Sequence, residues 1–246
     1  MPLCVGAREG GLSALDVGAV VLRILAIETS SVRGSVALLD DDRLIAEKAF
    51  GEGSRHGRDL LPCVNEVLGG DPKGLGLVAV SAGPGSYTGL RVGIAFAKTF
   101  GAETGVPVAS VSSLDVVAAN VPGRWPLCVV VDARLGQVYA AVYDEARTKI
   151  MGDVAASPGE VASKLRPETR VVGDGLRRYR EILAAAAKVV DDESLWWPSA
   201  VSVGRLGLAR FKEAGGEDPH NLVPRYLRRP QAEVKWEKSR NGPGRK

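Results

Sequence analysis

The first half of the chain alternates short apolar runs with polar turns. The runs LRILAI, SVALLD and RLIAEKAF are joined by short turns and predict three antiparallel strands. Leu60, Val64 and Val67 then recur at helical spacing, although Pro62 interrupts the predicted helix and must shift its start or bend it. A strand (LVAVSA), a long helix and a strand (PVASV) follow, and they predict parallel βαβ crossovers.

The second half repeats part of this pattern. LCVVVDARLGQVYAAVYDEA predicts a hairpin, and its acids Asp132 and Asp144 are spaced by 12 residues, like Glu28 and Asp40. The shared spacing favours an internal duplication over coincidence. Beyond it the pattern predicts a helix around GEVASKLRP, a strand RVVGDG, a helix from Leu176 to Lys188 and a last helix that ends in glycine. Two related βββαβα units, the second degenerate, resemble the α/β organisation of the actin-like and heat-shock ATPase (ribonuclease H-like) superfamily.

These elements predict four segments along the chain. They are a flexible, dispensable N-terminal extension (1–21), an N-terminal lobe (22–120), a C-terminal lobe (121–230) and a basic flexible tail (231–246).

Composition narrows the class of protein. Of 246 residues, 45% are hydrophobic and 25% charged, as in ordinary globular proteins, and no apolar run reaches the roughly 18 residues of a membrane span. No secretory leader is recognisable, and Cys4, Cys63 and Cys128 lack CxxC spacing. We therefore expect a cytoplasmic protein without membrane contact, and Cys128 as a buried hydrophobe.

Positive charge is concentrated near the C-terminus. Residues 225–246 carry eight Lys and Arg against two Glu, a net charge of +6. Since the whole chain carries +3, the remainder carries −3, so only this segment could follow a phosphate backbone. Basic chain ends are commonly solvated, and that reading stays open beside RNA contact.

Candidate chemistry is sparse. His56 and His220 are isolated, and each is expected at the surface or as a cap. The acids Glu28, Asp132 and Asp174 follow apolar strands, where a ligand crevice forms in doubly wound folds, but acids also open turns there. The turn AGPGS precedes a helix and can hold an anion, or it can serve close backbone packing. The possible nucleotide or anion contacts are Glu28, Ser30, Gly83, Gly85 and Ser86.

Several motifs together resemble one family. They are ILAIETS, SRHGRDLLP, AVSAGPGSYTGLRVGIAFAK, SVSSLDVVA, VVDARLGQVYAAVY and PRYLRRPQAE, between about Leu22 and Gln231. This combination is similar to the TsaB (YeaZ) family of bacterial tRNA threonylcarbamoyladenosine biosynthesis proteins. The resemblance implies a non-catalytic subunit that pairs with its paralogue TsaD and, with the ATPase TsaE, supports threonylcarbamoyl transfer to the adenosine beside the tRNA anticodon.

The resemblance also bears on metal and nucleotide binding. TsaD-like proteins carry a metal-binding HxxxH, and the matching positions here are Ser113 and Val117, which cannot hold a transition metal between them. We expect no catalytic residues, metal or cofactor of its own, with ATP and metal on partner subunits, and tRNA bound through the complex. The alternative is a nucleotide-dependent transferase or a glycoprotease-like enzyme.

Small residues recur every four positions in the helix after GPGS. Gly89, Gly93, Ala97 and Gly101 form a row that lets a second backbone approach closely. We expect the row to face a TsaD partner, or a second copy when the chain is alone, although it could instead pack on this protein's own first helix. The predicted interface residues are Leu60, Val64, Gly89, Leu90, Gly93, Ile94, Ala97 and Gly101.

Overall fold

The computed structural model describes residues 21–51 and 56–228. The predicted tail lies outside these residues, as does the predicted extension except for Val21. Each half of the chain forms a five-stranded mixed sheet. The fold is the predicted α/β fold with two related lobes.

The first sheet has the strand order β3-β2-β1-β4-β5. Its first three strands form the predicted antiparallel meander, and β4 and β5 run parallel to β1. The strands are β1 (Arg23–Glu28), β2 (Gly34–Asp40), β3 (Arg43–Phe50), β4 (Leu75–Gly83) and β5 (Val108–Ser112).

Three helices accompany this sheet: α1 (His56–Leu68), α2 (Tyr87–Thr104) and α3 (Ser113–Asn120). The hydroxyl of Ser86 caps α2 by accepting the Gly89 N–H, and Gly105 ends the helix in the left-handed conformation. Pro62 lies inside α1 without ending it.

The second sheet repeats the topology of the first. Read from its meander edge, its order is β8-β7-β6-β9-β10, which matches β3-β2-β1-β4-β5 strand for strand. This match supports the predicted duplication. Its strands and helices are β6 (Leu127–Arg134), β7 (Gln137–Tyr143), β8 (Lys149–Ala156), α4 (Pro158–Ala162), β9 (Arg170–Val172), α5 (Leu176–Ala184) and β10 (Lys188–Val189).

Two predicted boundaries differ from the structure. The helix predicted to reach Lys188 ends at Ala184, because Lys188 pairs with β9 and tertiary pairing overrides the helix propensity of the alanine run. The last helix, α6 (Ala200–Ala214), was assigned to the C-terminal lobe, but it packs on β1, β2, β4 and β5 of the first sheet. The chain therefore returns to the first lobe near residue 200.

The first sheet is covered on both faces. Leu25 and Ile27 pack toward α1 and α2, whereas Ile24 and Ala26 pack toward α6. Burial on both faces explains why β1 reads as a continuous apolar run rather than an alternating one. The second lobe has its own core around β6, which includes the fully buried Cys128 and the pair Trp196 and Trp197.

The small-residue row of α2 is buried inside the first lobe. A Cβ at Gly89 would lie 2.0 Å from the Thr29 carbonyl oxygen, and one at Gly93 would lie 2.3 Å from Thr29 Oγ1. The expectation that this row is open to a partner is therefore wrong, because the row lets α2 approach the end of β1. Gly89 and Gly93 lie against the end of β1, and Gly101 lies against Val108 and Pro219, so none of these glycines packs on α1.

The other predicted interface residues are also buried. Leu60 and Val64 of α1 belong to the core beneath the first sheet, and Leu90, Ile94 and Ala97 are buried along α2. A partner contact by these two helices stays a prediction, but it must use their opposite faces.

The buried row predicts that Gly93→Leu destabilises the isolated protein. The added side chain must displace Thr29, so we expect the free energy of unfolding to fall by about 1–3 kcal/mol. Ala95→Leu is the matched control because Ala95 lies on the exposed face of the same helix, and we expect it to stay within about 0.5 kcal/mol. Urea unfolding measures both variants, and a Gly93→Leu protein as stable as the parent would contradict the packing.

Candidate functional site

A cleft of about 480 Å³ lies between the two lobes. One wall comes from the segments after β1 and β4, the other from the segments after β6 and β9, and residues from the end of the described chain close one side. The carboxyl ends of equivalent strands in the two lobes therefore face the same space, where ligands bind in open α/β sheets.

Glu28 ends β1 and is fully buried beside this cleft. Its Oε1 accepts the Ser30 N–H at 2.5 Å and the Ser30 hydroxyl at 2.6 Å, and its Oε2 accepts the Ser81 hydroxyl. Burial raises the pKa of Glu28, and these hydrogen bonds oppose that rise. The carboxylate is engaged inside the lobe and does not line the cleft.

The turn between β4 and α2 passes tightly against the end of β1. A Cβ at Gly85 would lie 2.2 Å from the Ser30 carbonyl oxygen, which also accepts the Ser86 N–H at 2.7 Å. At Gly83, where φ is +106°, a Cβ would lie 3.0 Å from the Arg225 carbonyl oxygen. Of the predicted nucleotide or anion contacts, Ser30, Gly85 and Ser86 line the cleft, whereas Glu28 and Gly83 do not.

The second lobe contributes two carboxylates that the sequence singled out. Asp174 accepts the backbone N–H of Asp132 at 3.0 Å. The Asp132 carboxylate in turn accepts the backbone N–H of Arg134 and forms an ion pair with the Arg134 guanidinium. Burial raises the pKa of Asp174 to about 6, with a smaller contribution from the charge of Asp132, while the Asp132 N–H lowers it. The strand ends thus bring two of the three acids to one wall.

The segment 222–228 joins the lobes across the cleft. Arg225 donates its N–H to Ala82 in the first lobe, and Arg228 donates to the carbonyl oxygens of Ala133 and Arg134 in the second. Tyr226 packs on the Tyr87 ring at 5.0 Å. The sequence showed only a concentration of basic residues here, which could follow a phosphate backbone, and no local signal indicated this closing role.

The inner end of the cleft carries two buried polar atoms without a hydrogen-bond partner. The Ser113 hydroxyl and the Trp197 indole N–H line a small cavity there, together with Asp174. The Trp197 ring lies between the guanidinium groups of Arg33, at 4.6 Å, and Arg177, at 5.2 Å. The Trp197 ring is thus in cation–π contact with one arginine from each lobe.

The positions that matched a metal motif hold no ligand set. Val117 is fully buried in the core of the second lobe, and Ser113 begins α3. Among residues 21–51 and 56–228, no three His, Cys, Asp or Glu side chains are grouped to hold a metal ion. His56 packs edge-on against Phe50, and His220 lies in a short 3-10 helix.

A second surface is formed by the outer faces of α1 and α2, which we call the helix-pair surface. It comprises Leu61, Pro62, Val92, Ala95 and Phe96. A Cβ at Gly57 would lie 3.8 Å from Val92, so α1 and α2 are close here. Since residues four apart share a helix face, Leu61 continues the α1 side and Phe96 the α2 side. Leu61 is 60% exposed, whereas Val92 and Phe96 are half-buried against the core of the first lobe.

In the described part of the chain, no helix combines the length and apolar character that crossing a bilayer requires.

Three comparisons with known proteins agree. The family model of TsaD, the tRNA N6-adenosine threonylcarbamoyltransferase, matches residues 52–236. The tRNA threonylcarbamoyladenosine biosynthesis protein TsaB of Bacillus subtilis (strain 168) is 31% identical over 230 residues, which cover 87% of this chain and 98% of that protein. TsaB of Escherichia coli (strain K12) is 27% identical, with 88% and 98% covered. The solved structure of YeaZ from Pseudomonas aeruginosa gives a TM-score of 0.73 at 26% identity and covers 84% of this chain and 100% of that one.

The raised pKa of Asp174 predicts a defined pH dependence of stability. Asp174 of the folded protein keeps its proton up to a pKa of about 6, whereas the unfolded chain releases it above pH 3.8. The contribution of Asp174 to the free energy of unfolding therefore falls as pH rises from about 4 to about 6. Asp174→Asn keeps an acceptor for the Asp132 N–H but removes the titration. Relative to that of the parent, the free energy of unfolding of the variant should rise by up to about 3 kcal/mol over that range.

Urea unfolding at pH 4, 5, 6 and 7 measures this difference. Glu213→Gln, which removes an exposed carboxylate from α6, is the control and should follow the parent protein across the series. A constant stability difference between Asp174→Asn and the parent would show that Asp174 is not protonated in the folded state at pH 4–6.

Proposed function

The chain belongs to the TsaB family and acts in tRNA threonylcarbamoyladenosine biosynthesis, and we propose that it does so as a non-catalytic subunit of a TsaD-type transferase. In this role it pairs with TsaD, and together with the ATPase TsaE it supports threonylcarbamoyl transfer to the adenosine next to the anticodon. The target tRNAs are those that read codons beginning with A.

The residues at the metal-motif positions support the non-catalytic role. Ser113 and Val117 stand where a TsaD-type enzyme has its histidines, and Val117 is committed to the core. Glu28 is likewise engaged by Ser30 and Ser81 inside the first lobe. A transferase that relies on a bound metal needs ligands at such positions, so the chemistry is assigned to the partner, which also carries the metal and ATP.

The observation that carries the pairing is the helix-pair surface, on which Leu61, Pro62 and Ala95 are exposed and Val92 and Phe96 are half-buried. Its apolar side chains lie on two helices that are held on the first lobe, α2 by its buried small-residue row and α1 by its own buried apolar face, so we expect the surface to be largely formed before a partner binds. A rigid apolar face loses little conformational entropy on binding. Helix pairs of this kind pack against a second helix pair through ridges and grooves.

A TsaD-type partner fits this surface because it is related in fold. The TsaD family model matches most of this chain, including α1 and α2. A related protein presents an equivalent helix pair, and two equivalent pairs can meet about a pseudo-twofold axis, as in isologous dimers. The same geometry allows a homodimer when the chain is alone, and the heterodimer then competes with it.

We predict that Leu61→Arg prevents this pairing without unfolding the protein. Leu61 is exposed, so its replacement should leave the melting temperature unchanged, whereas a buried arginine without a partner opposes the contact. We expect affinity for the TsaD-type protein of the same organism to fall at least about tenfold, or 1.4 kcal/mol. Titration calorimetry and gel filtration of the mixture measure the loss.

Ile182→Arg is the matched control. Ile182 is an exposed apolar residue on α5 in the second lobe, away from the helix-pair surface, so this variant should bind like the parent. Normal binding by Leu61→Arg, or equal losses for both variants, would place the contact elsewhere on the chain.

An activity assay separates the subunit from the enzyme alternative. The purified chain with ATP, threonine, bicarbonate and tRNA should form no modified adenosine, and adding TsaD and TsaE should restore formation. Product from the chain alone would establish the alternative, a transferase in its own right.

A further inference from the structure

We propose that one side of α2 and the C-terminal segment 219–228 that lies along it form a binding surface for the phosphate backbone of RNA. We call this surface the basic strip, and it comprises Tyr87, Arg91, Lys98, Arg225, Tyr226 and Arg228. The inference rests on the proposed function, because the RNA that it names is the tRNA of that reaction. It assigns to this chain itself a contact that the proposed function leaves to the complex.

The C-terminal segment is bound to α2 at two points. In the second half of the helix, Lys98 donates to the carbonyl oxygen of His220 at 2.7 Å. At its start, the Tyr226 ring packs on the Tyr87 ring at 5.0 Å, and the Tyr226 hydroxyl accepts from Arg91 Nε at 3.0 Å. The basic side chains of the helix and of the segment are therefore held on one surface.

Arg91 is oriented for contact with a phosphate group. Its guanidinium lies 4.0 Å from the centre of the Tyr87 ring, and the bond from its Nε to Tyr226 fixes the guanidinium plane. The side chain is exposed, and its Nη groups have no hydrogen-bond partner in the described part of the chain. A planar guanidinium binds phosphate through parallel hydrogen bonds, and a side chain that is already ordered loses little entropy on binding.

Neither element of the basic strip carries an acidic residue along its length. Residues 87–102 and 219–228 contain Lys and Arg but no Asp or Glu. Beyond Arg228 the sequence adds six Lys and Arg against two Glu, whereas residues 1–224 carry a net charge of −3. Protein surfaces usually intersperse both signs of charge, so a surface of one sign fits a polyanion better than a protein partner. Arginine, lysine and tyrosine are also residue types that contact phosphates in nucleic-acid complexes.

The basic strip lies beside the helix-pair surface on the same helix. Arg91 and Val92 are consecutive residues of α2, so their side chains point about 100° apart around the helix axis. An RNA on the strip therefore lies next to a partner on the helix-pair surface, and one phosphate backbone can contact both proteins. Phosphate contacts position a nucleic acid without reading its sequence, so the strip positions the tRNA and does not select it.

Titration of an unmodified lysine tRNA transcript, which reads codons beginning with A, with the full-length protein tests the proposal. Fluorescence anisotropy at about 50 to 200 mM salt gives the affinity and its dependence on salt, which should be steep. Each lost phosphate contact lowers the slope of log affinity against log salt by about one. We therefore expect Arg91→Gln to lower the slope by about one and to weaken binding about tenfold.

The basic residues that follow Arg228 in the sequence are tested by a triple variant of the full chain, Lys235→Gln with Lys238→Gln and Arg240→Gln. We expect this variant to lower the slope by about three. An RNA affinity that does not change with salt, or an unchanged slope in both the triple variant and Arg91→Gln, would overturn the proposal.

Arg178→Gln is the matched control. Arg178 is also an exposed helix arginine, and its guanidinium lies 5.9 Å from the centre of the Tyr179 ring, but it belongs to α5 in the second lobe. This variant should bind the transcript like the parent. Equal losses for Arg91→Gln and Arg178→Gln would show attraction by charge in general, without a defined surface, and the proposal would be wrong.

Pairing with the TsaD-type protein is measured separately, by gel filtration. Arg91→Gln should pair like the parent, and Leu61→Arg should pair poorly but bind the transcript like the parent when the chain is alone. Failure of the pairing proposal and failure of the RNA proposal are thus distinguishable. If Arg91→Gln loses pairing and keeps its RNA affinity, the strip binds the partner protein and the RNA assignment is overturned.

Ultraviolet cross-linking gives a second, direct readout. Tyr87 and Tyr226 are 40% and 39% exposed, so nucleotides of a bound transcript should become attached to peptides that contain them. Mass spectrometry identifies the modified peptides. Cross-links confined to the second lobe, residues 121–199, would place the RNA elsewhere and contradict the proposal.

Discussion

The close approach of α2 to the end of β1 is the contact on which the rest of the first lobe depends. Gly85 and Gly89 leave room for the carbonyl oxygens of residues 29 and 30, and Gly93 leaves room for the Thr29 side chain. Beneath this contact, Glu28 collects hydrogen bonds from Ser30 and Ser81. A side chain at any of these glycines would push the helix off the sheet, so the glycines fix where α2 begins and which face it exposes.

The second lobe uses the same device with different chemistry. Gly173 follows β9 as Gly83 ends β4, and a Cβ at Gly173 would lie 2.2 Å from the Val130 carbonyl oxygen. Where the first lobe continues into Pro84 and an 18-residue helix, the second continues into Asp174 and a short α5. The duplicated topology therefore yields an asymmetric cleft, with a helix N-terminus on one wall and carboxylates on the other.

The sequence could predict local patterns but not which surfaces meet. Strand periodicity placed the first meander and the hairpin of β6 and β7, although it did not predict β8, and the small-residue row was recognised correctly as a site of close backbone approach. The partner of that row was misassigned, because spacing shows that a helix face admits a near neighbour and cannot say whether the neighbour is Thr29 or another protein. For the same reason, contacts distant in sequence, such as Arg225 with Ala82 and Arg228 with Ala133, had no local signal. The return of α6 to the first lobe is a further long-range contact of this kind.

Helix α2 contributes to both the cleft and the helix-pair surface. Its N-terminus lines the cleft, its inner face is held by β1, and its outer face carries Val92, Ala95 and Phe96 of the helix-pair surface. A ligand that leaves α2 unmoved cannot alter partner affinity, since coupling needs a difference in binding between two states. If a cleft ligand changes affinity for the partner, the partner must change affinity for the ligand by the same factor. The tight glycine contacts favour a joint shift of α2 and the end of β1, because any closer approach of the helix alone would bring its backbone into the carbonyl oxygens of residues 29 and 30.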